Sequence, residues 1–383
     1  MNSSYPMQFE VPFQYPVVFT RDMLDPDQAA LAGVFRAESA AARVWVLVDE
    51  GYAAARPDCA ARIERYFAAH GPALAAPVRF LPGGETIKRD PEPALRLARE
   101  MLDAHLDRQS YVLAIGGGAV LDAVGFAASI AHRGLRLVRA PTTTLAQNDA
   151  GLGVKNGVNL NGVKNALGVF APPWAVVNDL DALDTLSDAD WIGGHAEAFK
   201  VALIRDAEFF NVLCADAPAL RRRDRAAQER AVIRCAGLHL DHIRASGDPF
   251  ERGAARPLDF GHWAAHQLEA MSGYTLPHGR AVALGVALDA EYARRMGWLP
   301  DAENDRLQRG LRDCGFDLKH PALRRRDASG ELELLRGLDL FREHLGGQLT
   351  LCMPRGVGAS FDVHEVDRAN MRACAESLGG SGS

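Results

Sequence analysis

At 383 residues, 48% hydrophobic and 24% charged, the chain has the make-up of a folded globular protein and enough length for two cores. A net charge of −6 leaves no basic footprint for nucleic acid, and no apolar run is long enough to span a bilayer. Six cysteines without a Cys-x-x-Cys pair argue against a disulfide framework, and the start of the chain has no basic or apolar leader, so the expected location is the cytoplasm.

In chain order, Phe13 to Thr20 reads as a first strand, and Asp25-Pro26 as the start of a helix with proline at its first position. Arg43 to Glu50 is a β-branched run ending in acid, with Asp49 where a parallel strand can offer a carboxylate to a ribose. A helix over Cys59 to Ala69 and a strand over Val78 to Leu81 follow. The turn Pro82-Gly-Gly-Glu-Thr-Ile-Lys88 then sets Glu85 and Lys88 three residues apart. Apolar spacing predicts a helix from Pro93 to His105.

Tyr111 to Ile115 is a buried-strand run, broken by Gly116-Gly-Gly118 and followed by a strong helix from Ala119. Strand, glycines, helix is a geometry that suits a diphosphate, because helix amides and a bare backbone meet there. A plain strand-to-helix turn would read the same way, and the usual Gly-x-Gly-x-x-Gly fingerprint is absent. A strand over Leu135 to Pro141 leads into Thr142-Thr-Thr144 and Gln147-Asn-Asp149. The Gly/Asn-rich stretch from Gly151 to Asn165, carrying Lys155 and Lys164, is expected to fold back as a hairpin or loop. Trp174 to Val177 reads as the last strand of an amino-terminal unit.

Beyond Ser187-x-x-Asp190, a capping box, helical periodicity dominates. The expected division is an α/β, Rossmann-like doubly wound domain over residues 1–185 and a mainly helical domain over 186–383. The histidines cluster in the helical part. His262 and His266 lie one helical turn apart in Leu258-Asp-Phe-Gly-His-Trp-Ala-Ala-His266, and His278 sits between Pro277 and Gly279. With Glu197 they offer a histidine–carboxylate donor set that fits a catalytic divalent metal better than a structural one. Trp263 stands where a His-Glu-x-x-His metalloprotease needs glutamate.

Taken together in order, Gly116-Gly-Gly-Ala-Val-Leu-Asp122, Arg133-Gly134, Pro141-Thr-Thr143, Asp149, Lys155, Lys164-Asn165, Ala196-Glu-x-x-Lys200 and the three histidines resemble the 3-dehydroquinate synthase-like sugar phosphate cyclases. The resemblance runs from about Val44 to Glu365. It implies Zn2+, or Co2+ in its place, on Glu197, His262 and His278. It implies NAD against Asp49, Glu85, Lys88, Gly117, Gly118, Asp122, Thr142, Thr143, Lys164 and Thr185. A sugar phosphate would lie against Asp149, Lys155, Lys164, Asn165, Lys200 and His266. Arg133 would reach the neighbouring site of a homodimer. The implied chemistry is oxidation, phosphate elimination, reduction and intramolecular aldol closure, with NAD recycled in each turnover.

The motif Leu-Asn-x-Gly-His of 3-dehydroquinate synthase itself reads Leu258-Asp259-Phe-Gly-His262 here. The segment before it, with Arg256, is one residue shorter, and His344 falls where the quinate enzyme has lysine. Asp259 and His344 resemble instead the cyclases of sedoheptulose 7-phosphate, 2-epi-5-epi-valiolone synthase among them. The alternatives are 3-dehydroquinate synthase, an NAD-dependent polyol or glycerol-1-phosphate-type dehydrogenase with the same fold and metal set, and a non-catalytic binding relative.

Overall fold

A computed structural model describes residues 4–35, 42–246, 248–250, 257–344 and 346–379, apart from the side chains of Pro257 and His344. Eleven strands are formed among these residues: β1 (Val17–Thr20), β2 (Arg43–Asp49), β3 (Ala73–Leu74), β4 (Arg79–Leu81), β5 (Tyr111–Gly116), β6 (Arg136–Pro141), β7 (Lys155–Leu160), β8 (Val163–Phe170), β9 (Ala175–Asp179), β10 (Leu351–Pro354) and β11 (Ser360–Val363). Seven make one parallel sheet in the order β1-β9-β6-β5-β2-β3, with β4 also paired to β2.

The parallel sheet follows from its strands' composition. Runs such as Tyr111-Val-Leu-Ala-Ile115 are buried throughout, so both faces must be covered. Alternate residues feed two cores: Val44, Val46, Leu113 and Val138 on one face, Trp45, Leu47, Val112 and Leu137 on the other. From β2 the chain first builds outward to β3 and β4, then returns to the other side of β2 as β5. Strand order therefore reverses between β2 and β5, the place where doubly wound sheets take ligands.

The helices are α1 (Glu50–Ala55), α2 (Cys59–Ala69), α3 (Glu92–Asp103), α4 (Gly118–Ile130), α5 (Asp188–Gly193), α6 (His195–Arg205), α7 (Ala207–Arg221), α8 (Arg225–Ala245), α9 (His262–Met271), α10 (His278–Arg295), α11 (Asp301–Cys314), α12 (Arg336–His344) and α13 (Arg368–Leu378). From α6 onward one large core runs through them, and α10 is buried on nearly all sides. Its glycines let backbones touch. A Cβ on Gly279 would stand 2.2 Å from the Gly193 carbonyl oxygen, and one on Gly285 2.0 Å from that of Gly261. These approaches bring together the starts of α6, α9 and α10.

β7 and β8 form the expected antiparallel hairpin, lying on α4. Arg139, buried in β6, anchors its root by donating to the carbonyls of Gly151, Gly153 and Lys155 and to Asn156 Oδ1. The helix expected from Asp25-Pro26 is absent: turns run through this stretch to a short 3-10 turn over Ala32–Val34. Asp25 takes the Asp27 amide on its side chain and the Gln28 amide on its carbonyl, closing a turn, while distant Asp179 holds the amides of Asp22 and Met23 just before it. No helix of the described residues is long and apolar enough to cross a membrane.

Candidate active site

The carboxyl ends of β2 and β5 face each other across the switch point. Asp49 ends β2 and caps α1, accepting from the amides of Gly51 at 2.7 Å and Tyr52 at 3.3 Å. Gly83 stands so close that a Cβ there would lie 2.8 Å from the Asp49 carboxylate oxygens, and Gly116 packs against its Cβ. Gly117 caps α4, whose first amides open toward this corner. Thr143 backs Gly117, and Ala150 backs Gly118. The Thr142 amide donates to the Gly116 carbonyl. Lys88 is buried beside Asp122 at 2.8 Å, with Glu85 at 4.0 Å, and it also donates to Asn165 Oδ1. Burial alone would lower the Lys88 pKa, but Asp122 and Glu85 more than offset it and raise it.

One residue along the hairpin, Lys164 turns to the helical side and meets Glu269 at 3.0 Å. Glu269 also faces His278 Nδ1 at 3.4 Å. A carboxylate there fixes that ring and leaves Nε2 to face Glu197 Oε1 at 3.8 Å. His262 is set in the same way: Nδ1 lies 3.3 Å from the Phe260 carbonyl, and Nε2 lies 3.4 Å from Glu197 Oε1. Donor atoms of Glu197, His262 and His278 all fall within 4.8 Å of one another.

Glu197 is completely buried. Lys200 forms an ion pair with it one turn along α6. Burial would raise the Glu197 pKa, but Lys200 and His262 hold it well below the ordinary carboxylate range. Burial would likewise lower Lys200, yet Glu197 and Asp149 raise it, so the ammonium keeps its charge. Burial opposes protonation of His278, which Glu269 and Glu197 nonetheless favour. A buried imidazole, a partly exposed one and a buried carboxylate converging on one point make a donor set for a divalent cation.

His266 is not part of that triangle. Its ring packs beside His262 and His278, with centroids 5.5 Å and 6.2 Å away. It is exposed, yet the surrounding protein and the two neighbouring imidazoles push its pKa down to about 3. It is neutral at pH 7. Asp149 lies on the turn over Ala146–Ala150, one-third exposed, with His239 Nε2 at 3.3 Å from Oδ1. Asp259 is half-buried just before α9 and near enough to Lys200 to favour its charge. Lys155 opens β7 with an exposed side chain.

Other expected residues lie apart or outside. The Thr185 hydroxyl donates to the Ala182 carbonyl, at the end of the turn after β9. Arg133 is exposed in a left-handed turn at φ 64°. Its side chain makes no hydrogen bond or ion pair to another described residue. His344 ends α12 with its side chain outside the described residues, and Arg256 lies outside them altogether. Glu269, His239 and Asp289 were not singled out from sequence. Asp289 is buried on α10 and accepts from the Gly261 amide at 3.1 Å and Trp263 Nε1 at 2.9 Å, which holds the loop before His262.

Two family descriptions match the chain in tandem: 3-dehydroquinate synthase N-terminal over residues 78–193, and 3-dehydroquinate synthase C-terminal over residues 194–334. The 3-dehydroquinate synthase of Ruegeria sp. (strain TM1040) is 34% identical over 360 residues, 92% of this chain and 91% of its own. That of Roseobacter denitrificans (strain ATCC 33942 / OCh 114) is 37% identical over 290 residues, 75% of this chain and 77% of its own. Among solved structures, 2-epi-5-epi-valiolone synthase from Streptomyces hygroscopicus subsp. jinggangensis 5008, with NAD+ and Zn2+ bound, superposes with a TM-score of 0.87 at 28% identity. That match covers 98% of this chain and 99% of the other. A 2-deoxy-scyllo-inosose synthase complexed with carbaglucose-6-phosphate, NAD+ and Co2+ gives a TM-score of 0.74 at 21% identity, covering 94% and 96%, a likeness of fold alone.

Proposed function

The chain belongs to the 3-dehydroquinate synthase family of sugar phosphate cyclases, and we propose that this member acts on sedoheptulose 7-phosphate, releasing phosphate and closing a cyclitol. The observation that carries the substrate reading is Asp259. It is a half-buried acceptor three residues before His262, near the Lys200 ammonium. An aspartate there repels a substrate carboxylate and accepts from a hydroxyl. Sedoheptulose 7-phosphate ends in a hydroxymethyl ketone, whereas the substrate of 3-dehydroquinate synthase carries a carboxylate.

The donor triangle fits Zn2+ or Co2+, because buried Glu197 turns Oε1 toward both His262 Nε2 and His278 Nε2 while Lys200 pairs with Oε2. NAD would lie along Asp49, Glu85, Lys88, Gly117, Gly118, Asp122, Thr142 and Thr143, with Thr185 and Lys164 at the margins. When bound, NAD supplies reversible hydride acceptance, and the metal supplies Lewis acidity toward adjacent hydroxyls. The chain's own groups do the rest. Lys200, kept cationic by Glu197 and Asp149, offers a fixed positive charge to developing oxyanions. Lys155, Lys164 and Asn165 supply donors for a phosphorylated sugar. His266, neutral at pH 7, can accept or pass a proton on the phosphate side. Exposed Arg133 is read as the cation lent to the partner site of a homodimer, and the domain boundary is placed after Thr185.

The second reading is 3-dehydroquinate synthase, favoured by the names of the curated relatives. One assay separates the two: purified protein with Zn2+ and NAD, offered each sugar phosphate, with inorganic phosphate followed. Release from sedoheptulose 7-phosphate and little from 3-deoxy-arabino-heptulosonate 7-phosphate is expected, and the opposite ranking overturns the substrate assignment. Net NADH formation during turnover would point to a dehydrogenase instead.

A further inference from the structure

A second donor cluster lies behind the first. Asp149, Glu197 and His239 also bring their ligand atoms within 4.8 Å of one another. His239, on α8, is buried, and its Nδ1 lies 3.1 Å from the Cys235 carbonyl one turn back. The Asp149 carboxylate is the stronger acceptor, so the ring hydrogen belongs on Nε2, and the Cys235 thiol, 3.8 Å from Nδ1, can donate to the nitrogen left bare. That Nε2 is buried, has no hydrogen-bond partner, and lies 3.3 Å from Asp149 Oδ1. Asp149 itself is one-third exposed, so its other side faces the cleft while His239 stands behind it.

The cluster resembles a metal trio, but a cation already serves it. Lys200 forms an ion pair with Glu197, and Asp149 adds to the field that keeps it charged. A second dication would sit against that ammonium. What remains for His239 is the Asp149 carboxylate.

The surroundings are built to hold this pair in register. Cys235 Sγ lies 3.7 Å from the Asn148 carbonyl, and Asn148 Nδ2 donates to the Gly194 carbonyl at 2.8 Å. The turn bearing Asp149 is thus tied to α8, which carries His239, and to the start of α6, which carries Glu197 and Lys200.

We propose that His239 is a positioning residue: its Nε2 closes onto Asp149 and holds the carboxylate's open oxygen toward the substrate hydroxyls. At 3.3 Å the pair is longer than a well-formed hydrogen bond, and it shortens as the carboxylate engages substrate. The inference rests on reading Asp149 as a substrate-lining residue, and it is indifferent to which heptulose phosphate the enzyme takes.

The test uses full-length His239→Leu, which removes the donor, and His239→Gln, whose amide N–H reaches about as far as Nε2. With whichever sugar phosphate the parent turns over, His239→Leu should lower kcat about 100-fold, as misplacement of a reacting group does. KM, NAD affinity and a metal content of one per chain should stay within a factor of two to three of the parent. His239→Gln should recover most of the loss. Adding His239→Leu to Asp149→Ala should cost nothing further, since the histidine acts through the aspartate. Additive losses, or no rescue by glutamine, would overturn the proposal, as would two metals per chain in the parent. A crystal structure of His239→Leu gives a readout independent of turnover. Asp149 should have swung from its parent position with Glu197, His262 and His278 unmoved, and an unmoved Asp149 refutes the idea even if the parent releases phosphate from neither sugar.

Discussion

Asp289 sits in an environment its neighbours only partly relieve. It is fully enclosed on α10, has no ion-pair partner among the described residues, and accepts from Gly261 and Trp263. Burial nevertheless pushes its pKa from 3.8 up to about 7. A folded-state pKa above the unfolded one means that the fold holds a proton the unfolded chain has released. The stabilisation is complete below about pH 4 and is lost as pH rises through 7. Relative to the parent, Asp289→Asn should therefore gain about 2 kcal/mol in unfolding free energy between pH 5 and pH 7. Urea melts of both metal-free proteins at the two pH values measure this. A constant difference would mean that the carboxyl does not titrate in that range.

At the level of elements, the metal-side geometry depends on glycine. Helix α10 can carry His278 beside Glu197 and His262 because Gly279 and Gly285 let it lie directly on the backbones of Gly193 and Gly261. Gly285→Ala should cost about 1–3 kcal/mol, as overpacking does in a filled core, and should weaken metal binding along with it. Gly237 on α8 has nothing within 4 Å of where its Cβ would go. Gly237→Ala should instead stabilise by about 0.5–1 kcal/mol, since alanine is the better helix former. Thermal and denaturant unfolding of the two variants decide it: equal effects would show that backbone approach is not what sets the triangle. The same contrast explains what could be read from sequence. Buried β-branched runs and glycine breaks made the sheet and a fold-back between Gly151 and Asn165 legible, because a strand's period and a turn's chemistry are local. The stretch after Asp25 misled because Asp25 closes a turn on the amides of Asp27 and Gln28, while Asp179, more than 150 positions away, fixes the residues just before it. Glu269 stood in the histidine stretch, but nothing local tells that it braces His278. His239 faces Asp149 from 90 positions away, and only the packing of α8 against that turn reveals it.

At the scale of the whole molecule, the candidate site has two poles: the β2/β5 switch point with Asp49, Gly117 and Lys88, and the Glu197–His262–His278 triangle. Neighbouring residues of one hairpin strand touch both. Asn165 takes a hydrogen bond from Lys88 on the sheet side, while Lys164 binds Glu269, which braces His278. The hairpin is thereby a mechanical link as well as a wall of the cleft. Ordering it at one pole leaves less freedom to be lost when the other is filled, and such a coupling must act equally in both directions. NAD affinity measured by calorimetry should rise on adding Zn2+ by the same factor by which Zn2+ affinity rises on adding NAD, about 5-fold or more. Lys164→Met should bring both factors toward one, and unchanged factors in that variant would place the link elsewhere. A strand of eight residues, β8, then does for this protein what a shared subunit interface does in larger assemblies: it makes the occupancy of one site part of the affinity of another.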